Sequence, residues 1–188
     1  MLEPPFFDPQ RDPAANYGAI GTVIGHEISH SFDNVGAEFD AEGRLANWWN
    51  AEDQAHFKEA GQRLVAQYNA YEALPGLHVR GDQTLGENIA DVSGLTIAHA
   101  AYVKSLTGKP APVLDALSGD QRFFLAFAQT WRQNMREAAL RQRVIADGHA
   151  PGPFRALTVR NIDAWYDAFS PQAGDKLYLA PQDRVHIW

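Results

Sequence analysis

Cysteine is absent from the 188 residues, which removes disulfides, thiolate metal sites and cysteine nucleophiles together. Any metal held by side chains must therefore rely on histidine and carboxylate. Positive charge is in short supply: 16 Lys and Arg stand against 23 Asp and Glu, a formal net charge of −7. So acidic a chain repels phosphate, and neither a nucleic-acid surface nor an anionic-membrane anchor is expected. No apolar run approaches the roughly 20 residues needed to span a bilayer, so no transmembrane segment is expected in this chain. Residues 1–7 lack the basic stretch leading into an apolar one that marks a secretory leader. There is no internal repeat and no Gly- and Ser-rich linker. What remains is 45% apolar, 11% aromatic and 21% charged, the balance of an ordinary globular domain long enough to bury a core.

Residues 1–188 read as one unit, mainly α with a minor α+β character. Asp12-Pro13 is an N-cap followed by proline in the first turn, opening a helix expected to run to about Ser31. Gly18, Gly21 and Gly25 share one face of it. Each costs about 1 kcal/mol of helix propensity against Ala, so a close backbone approach is expected there. Phe39 to Leu45 reads as a tight turn between short extended pieces. Asn50 caps a second helix with Phe57, Gly61, Leu64, Tyr68 and Tyr71 as its apolar stripe. A third helix is expected from near Thr84 to before Gly108. A fourth starts near Asp120, with Phe124, Phe127, Trp131 and Met135 on one face. Then come a Gly- and Pro-rich loop over Gly148 to Pro153, a short helix over Asn161 to Phe169 and an extended tail to Trp188.

Chemistry concentrates in His26-Glu27-Ile28-Ser29-His30. Histidines four apart on a helix point the same way and can share one metal ion, with Glu27 beside them to activate water. The alternative, solvent-facing histidines on an amphipathic helix, sits poorly with Ile20, Val23, Ile24 and Ile28 around them. A catalytic zinc takes a third protein ligand and keeps a position open. The metzincin pattern would need His and Gly where this chain has Gly36 and Asp33. A glutamate from a later helix, followed one turn on by a carboxylate that orients a ligating histidine, fits Glu87 with Asp91. Thr84-Leu85-Gly86-Glu87 also fits a capping box, in which Glu87 would reach back to the helix start instead.

Taken together, these residues resemble the catalytic end of the neprilysin and endothelin-converting-enzyme family of zinc metallopeptidases, which are gluzincins. The resemblance rests on Pro4-Pro5-Phe6-Phe7, Asn16-Tyr17-Gly18, Val23 to His30 with Phe32-Asp33, Trp48-Trp49, Leu85 to Asp91, His149 to Arg155 and the final Trp188. It implies a zincin-like catalytic half-domain with an active-site helix and a second ligand-bearing helix. It further implies Zn2+ bound by His26, His30 and Glu87, with Glu27 as the base acting on zinc-bound water and Asp91 orienting His26. Asp33 would brace the site similarly, although a helix-end residue bonding locally has the same spacing. His149 would stabilise the oxyanion and Arg155 hold a substrate carbonyl; from the residues alone His149 is simply a loop histidine. Val23 and Trp131 would line the pocket for an apolar substrate side chain, and both fit equally well as core.

The implied activity is endopeptidase cleavage of oligopeptides on the amino side of apolar residues. The family's cysteines, its upstream peptide-binding strand and its Asn-Ala-aromatic-Tyr segment have no counterpart here. The abrupt start on Met1-Leu2-Glu3-Pro4-Pro5 leads to the expectation that an N-terminal portion of the same protein is missing and that the fragment alone is weakly active. A non-catalytic zinc-binding or interaction module on the same fold is the competing expectation. Family resemblance favours a periplasmic or otherwise extracytoplasmic location.

Overall fold

The computed structural model describes residues 1–188. Asp12 accepts a hydrogen bond from the Ala14 amide and Pro13 occupies the first turn, so the chain enters helix α1 (Pro13–Asn16) as its cap predicts. One π-turn over Tyr17–Gly21 comes next, then α2 (Thr22–Ser29) and a 3-10 turn over His30–Phe32. The helical run is thus continuous but not uniform. The extra residue in the π-turn rotates α2 about the helix axis relative to α1, and the three glycines do not act alike. Gly18 lies against the Phe123 backbone and Gly25 against Gly94, whereas a Cβ on Gly21 would make only ordinary 3.6 Å contacts. The close approach expected of all three is made by two.

Asn50 accepts from the Asp53 amide and starts α3 (Ala51–Asn69), which buries Ala60, Gly61, Leu64 and Tyr68. Tyr71, expected on the same stripe, lies past the helix end. It leads into an antiparallel hairpin of β1 (Glu72–Leu74) and β2 (Leu77–His78), the only sheet. The turn expected over Phe39 to Leu45 closes as a bridge between those two residues.

Helix α4 (Leu85–Ser105) is the centre of the molecule. Ile89, Ala90, Leu95, Ala98 and Tyr102 are buried, and so are the polar Asn88, Asp91 and Ser93. One side packs on α2; other faces meet α3 and the turn at Leu157–Asn161. Ser118 and Gln121 form a reciprocal capping box at the start of α5 (Gly119–Thr130), whose Phe123, Phe124 and Phe127 are almost fully buried. This helix ends earlier than its apolar spacing predicts. Thr130 turns its hydroxyl back to the Phe127 carbonyl at 2.7 Å, Trp131 caps the end, and Met135 lies in the non-helical stretch beyond.

Helix α6 (Glu137–Ala146) carries no apolar stripe, burying only Val144. It is succeeded by α7 (Gly152–Ala156) and α8 (Asp163–Phe169). The C-terminal segment folds back into the core, where Val185 and Ile187 pack in one cluster with Leu64, Tyr68, Ile89 and Trp165. The architecture is mainly α, as expected, with one small hairpin. No helix is long and apolar enough to cross a membrane.

Candidate metal centre

The site forms where α2 and α4 touch. His26 and His30 project from one side of the α2 run and Glu87 comes from the first turn of α4. Their ligand atoms all lie within 4.8 Å of one another. His26 Nε2 is 3.1 Å from His30 Nε2 and 3.1 Å from Glu87 Oε2, and His30 Nε2 is 3.7 Å from Glu87 Oε1. His26 is buried and His30 is partly open.

Each histidine is braced from behind. His26 Nδ1 donates to Asp91 Oδ1 at 2.9 Å and His30 Nδ1 to Asp33 Oδ2 at 2.7 Å. A carboxylate can only accept, so the proton on each ring belongs on Nδ1 and Nε2 faces the site. Asp33 is fixed in turn, its Oδ1 accepting from the amides of Val35 and Gly36 at 2.8 and 2.7 Å. Thr84 forms no side-chain cap on α4; its hydroxyl donates to Arg80 O and accepts from Asn88. Glu87 faces the histidines, so the capping-box alternative is not adopted.

The two later residues arrive from the loop and helix after α6. His149 Nε2 stands 3.1 Å from Glu87 Oε2. Arg155 is buried, donating Nε to Asp91 Oδ2 at 2.8 Å and Nη2 to Asp91 Oδ1 at 2.6 Å, while its guanidinium stacks 4.1 Å over the Trp131 ring. Asp91 therefore joins α2, α4 and α7 through one carboxylate. Asp147 accepts from both the His149 amide and Nδ1, at 2.9 and 2.8 Å. Residue spacing gave no hint of its role, although an Asp two residues before a loop His is the pattern of a side-chain-capped turn.

Packing of this kind sets the electrostatics. Burial disfavours the His26 cation, but hydrogen bonds to Asp91 and Glu87 outweigh it and push the pKa up to about 9. Burial likewise opposes the charge on Glu87 and Asp91, yet the surrounding histidines, and for Asp91 also Arg155, hold both below the usual carboxylate range.

Glu27 is exposed beside His26 at the rim of a cavity of about 210 Å³. Val23, Phe6, Phe127 and Trp131 give this cavity apolar lining, and His149 and Arg155 line it too. All ten residues singled out by motif and resemblance thus fall in one region.

The donor set suits a metal. Glu87 Oε2 is buried without a hydrogen-bond partner although His26 Nε2 stands 3.1 Å from it, and His30 Nε2 lies 3.7 Å from the other carboxylate oxygen, so one carboxylate and two imidazole nitrogens turn to a common point. Two nitrogens and a carboxylate, each histidine tied to a carboxylate behind it, match a zinc donor set of two histidines and one glutamate with a position left for a further ligand.

Comparison with known proteins places the chain further. The model of peptidase family M13 matches residues 1–185, and the chain belongs to that family. Human neprilysin is 40% identical over 195 residues and the neutral endopeptidase of Lactobacillus helveticus 39% over 189, each match covering the whole chain. The crystal structure of the Mycobacterium tuberculosis zinc metalloprotease Zmp1 with an inhibitor superposes with a TM-score of 0.95 at 50% identity. The chain spans 26% of neprilysin, 27% of the Lactobacillus enzyme and 30% of the Zmp1 chain. The family is one of zinc metallopeptidases, and zinc is the metal it implies.

Proposed function

We propose that this chain is the metal-bearing, carboxyl-terminal part of a zinc endopeptidase that hydrolyses oligopeptides on the amino side of apolar residues. The observation that carries the reading is the convergence of His26, His30 and Glu87 beside Glu27, with His26 and Glu27 on the wall of a largely apolar cavity. His26, His30 and Glu87 would hold the ion. Zinc bound there supplies a Lewis acid that polarises the peptide carbonyl and acidifies water.

The protein's own groups do the rest. Glu27 accepts a proton from the attacking water and returns it to the departing amine. As an imidazolium, with Nδ1–H on Asp147, His149 donates from Nε2 to the oxygen on which negative charge develops, and Arg155, fixed by Asp91, offers its remaining guanidinium protons to a substrate carbonyl. Val23 and Trp131 receive the apolar side chain on the carboxyl side of the scissile bond.

The other partner is the remainder of a longer polypeptide, in line with the quarter of its relatives that the chain spans; an extracytoplasmic setting fits the same reading. Without a strand to orient an extended peptide, the 188 residues alone turn over slowly. The test is metal content and peptide cleavage side by side. The wild-type chain should bind about one zinc, and His30→Ala or Glu87→Ala should lose it. Glu27→Gln should keep the metal and lose at least about a hundredfold in turnover. Zinc held equally by all variants would overturn the ligand set. Equal turnover by wild type and Glu27→Gln would leave the non-catalytic module as the better reading.

A further inference from the structure

We propose that Gln83 is a positioning residue: it sets the His149 imidazole against the metal centre by gripping the turn that carries it. The catalytic half of this inference rests on the role given to His149 above.

His149 lies on the turn between α6 and α7 with 42% of its side chain exposed, so packing alone does not fix its ring. The ring is held by Asp147, whose Oδ1 takes both the His149 amide and Nδ1–H. What holds Asp147 then decides where Nε2 points. Its Oδ2 lies 3.2 Å from Arg143 Nε, but Arg143 belongs to α6 and travels with the same turn. The link to the rest of the site is different. Gln83 Nε2 donates to the Asp147 carbonyl at 2.6 Å, across 64 residues of sequence and in a part-buried setting.

Gln83 stands just ahead of α4, four residues before Glu87. The backbone there is pinned: Thr84 Oγ1 donates to Arg80 O at 3.0 Å and accepts from Asn88 Nδ2 at 2.8 Å. Gln83 is therefore a strut of fixed length between the start of the ligand-bearing helix and the histidine turn. It is the only hydrogen bond from a side chain ahead of α4 to residues 147–149. Without it, no hydrogen bond from outside α6 and the turn itself would hold Asp147, and the 3.1 Å approach of His149 Nε2 to Glu87 would depend on α6 behind the turn and the buried Ala150 after it.

The experiment uses zinc-loaded chain with 15N-labelled histidine. Gln83→Met keeps the length of the side chain and removes its donor; Gln83→Lys restores a donor of similar reach. Solvent exchange of the His149 Nδ1 proton should quicken roughly three- to tenfold in Gln83→Met and return toward wild type in Gln83→Lys. Exchange at His99, held 2.9 Å from Asp120, should stay constant, as should zinc stoichiometry. Unchanged exchange at His149, or an equal rise at His99, would overturn the proposal.

Affinity for a phosphonate peptide, a mimic of the tetrahedral state, provides the second readout. Gln83→Met should weaken it by a similar factor and add nothing in a His149→Ala background. Additive losses would show that Gln83 does not act through His149. A wild-type chain that binds zinc but no phosphonate would count against the peptidase reading, and the exchange result would still decide the positioning.

Discussion

Gly25 and Gly94 meet backbone to backbone where α2 packs on α4. A Cβ on Gly94 would fall 2.4 Å from the His26 amide nitrogen, and one on Gly25 would fall 2.7 Å from the Gly94 carbonyl oxygen. The two ligand-bearing helices are thus closest one residue from His26 and two turns from Glu87. That separation lets side chains as short as His26 and Asp91 bridge the helices at 2.9 Å.

Gly94→Ala should therefore act against its intrinsic propensity. In a free helix the change gains about 1 kcal/mol, whereas here the methyl meets immovable backbone, and overpacking of this kind costs about 1 to 3 kcal/mol. Denaturant unfolding should show a lower midpoint, with weaker zinc binding in a chelator competition. Gly21→Ala, whose Cβ meets only 3.6 Å contacts, should be neutral or stabilising by up to about 1 kcal/mol. Matching losses at the two positions would rule out the close crossing as the cause.

Asp91 is 1% exposed and carries two jobs, bracing His26 and neutralising the buried Arg155. Asp91→Ala strands that guanidinium, and removing one partner of a buried pair costs about 3 to 5 kcal/mol. Arg155→Met should cost less, since Asp91 keeps His26 and the apolar stem can still lie on Trp131. The comparison is made by urea unfolding of the metal-free chain. A larger loss for Arg155→Met would reverse the assignment of Asp91 as the hub.

The pH dependence originates in His26. Its pKa in the folded, metal-free chain is raised from 6.5 to about 9. A raised cationic pKa stabilises the fold fully below the unfolded value, and the contribution fades as pH climbs through the folded one. Metal-free stability should accordingly decline between about 6.5 and about 9, and His26→Gln should flatten that slope. Zinc competes with the proton for Nε2, so zinc affinity should rise over the same interval. At neutral pH, calorimetric heats should vary with the buffer's ionisation enthalpy as a proton is released.

How much of this could be read in the sequence depends on range. His26, His30, Glu87 and Asp91 are legible because each pair is set by an i, i+4 interval on one helix, a local quantity. Asn50 and Asp12 announce their helices for the same reason. Resemblance, not spacing, pointed to His149 and Arg155, because their partners Glu87 and Asp91 are more than sixty residues away. Gln83 has no signal beyond ordinary polar character, and Asp147 only the turn pattern of an Asp two residues before a loop His. Helix α6 escaped notice because its single buried residue leaves no periodicity to detect. The opposite holds at the end of α5, where the apolar rhythm continues to Met135 but the helix stops at Thr130.

The C-terminal segment offers a stability test that is independent of the metal. Val185 and Ile187 are 1% and 2% exposed within the core cluster. The Val185 amide donates to Asn161 Oδ1 at 2.9 Å, and Asn161 also pairs reciprocally with Gln67 at 3.0 and 2.8 Å. Arg63 adds a hold from α3 onto the carbonyls of Gln182 and Arg184. Ending the chain after Arg184 removes two buried aliphatic side chains, each worth about 1.5 to 3 kcal/mol, and opens the core they fill. Trp188→Ala should cost far less. Its ring stacks on Trp49 and Phe57 but stays 58% exposed, and such pairs contribute about 0.5 to 1.5 kcal/mol. Urea midpoints should therefore fall steeply for the truncation and slightly for Trp188→Ala. If the point variant reproduced most of the loss, the aromatic stack and not the buried pair would be what fastens the tail.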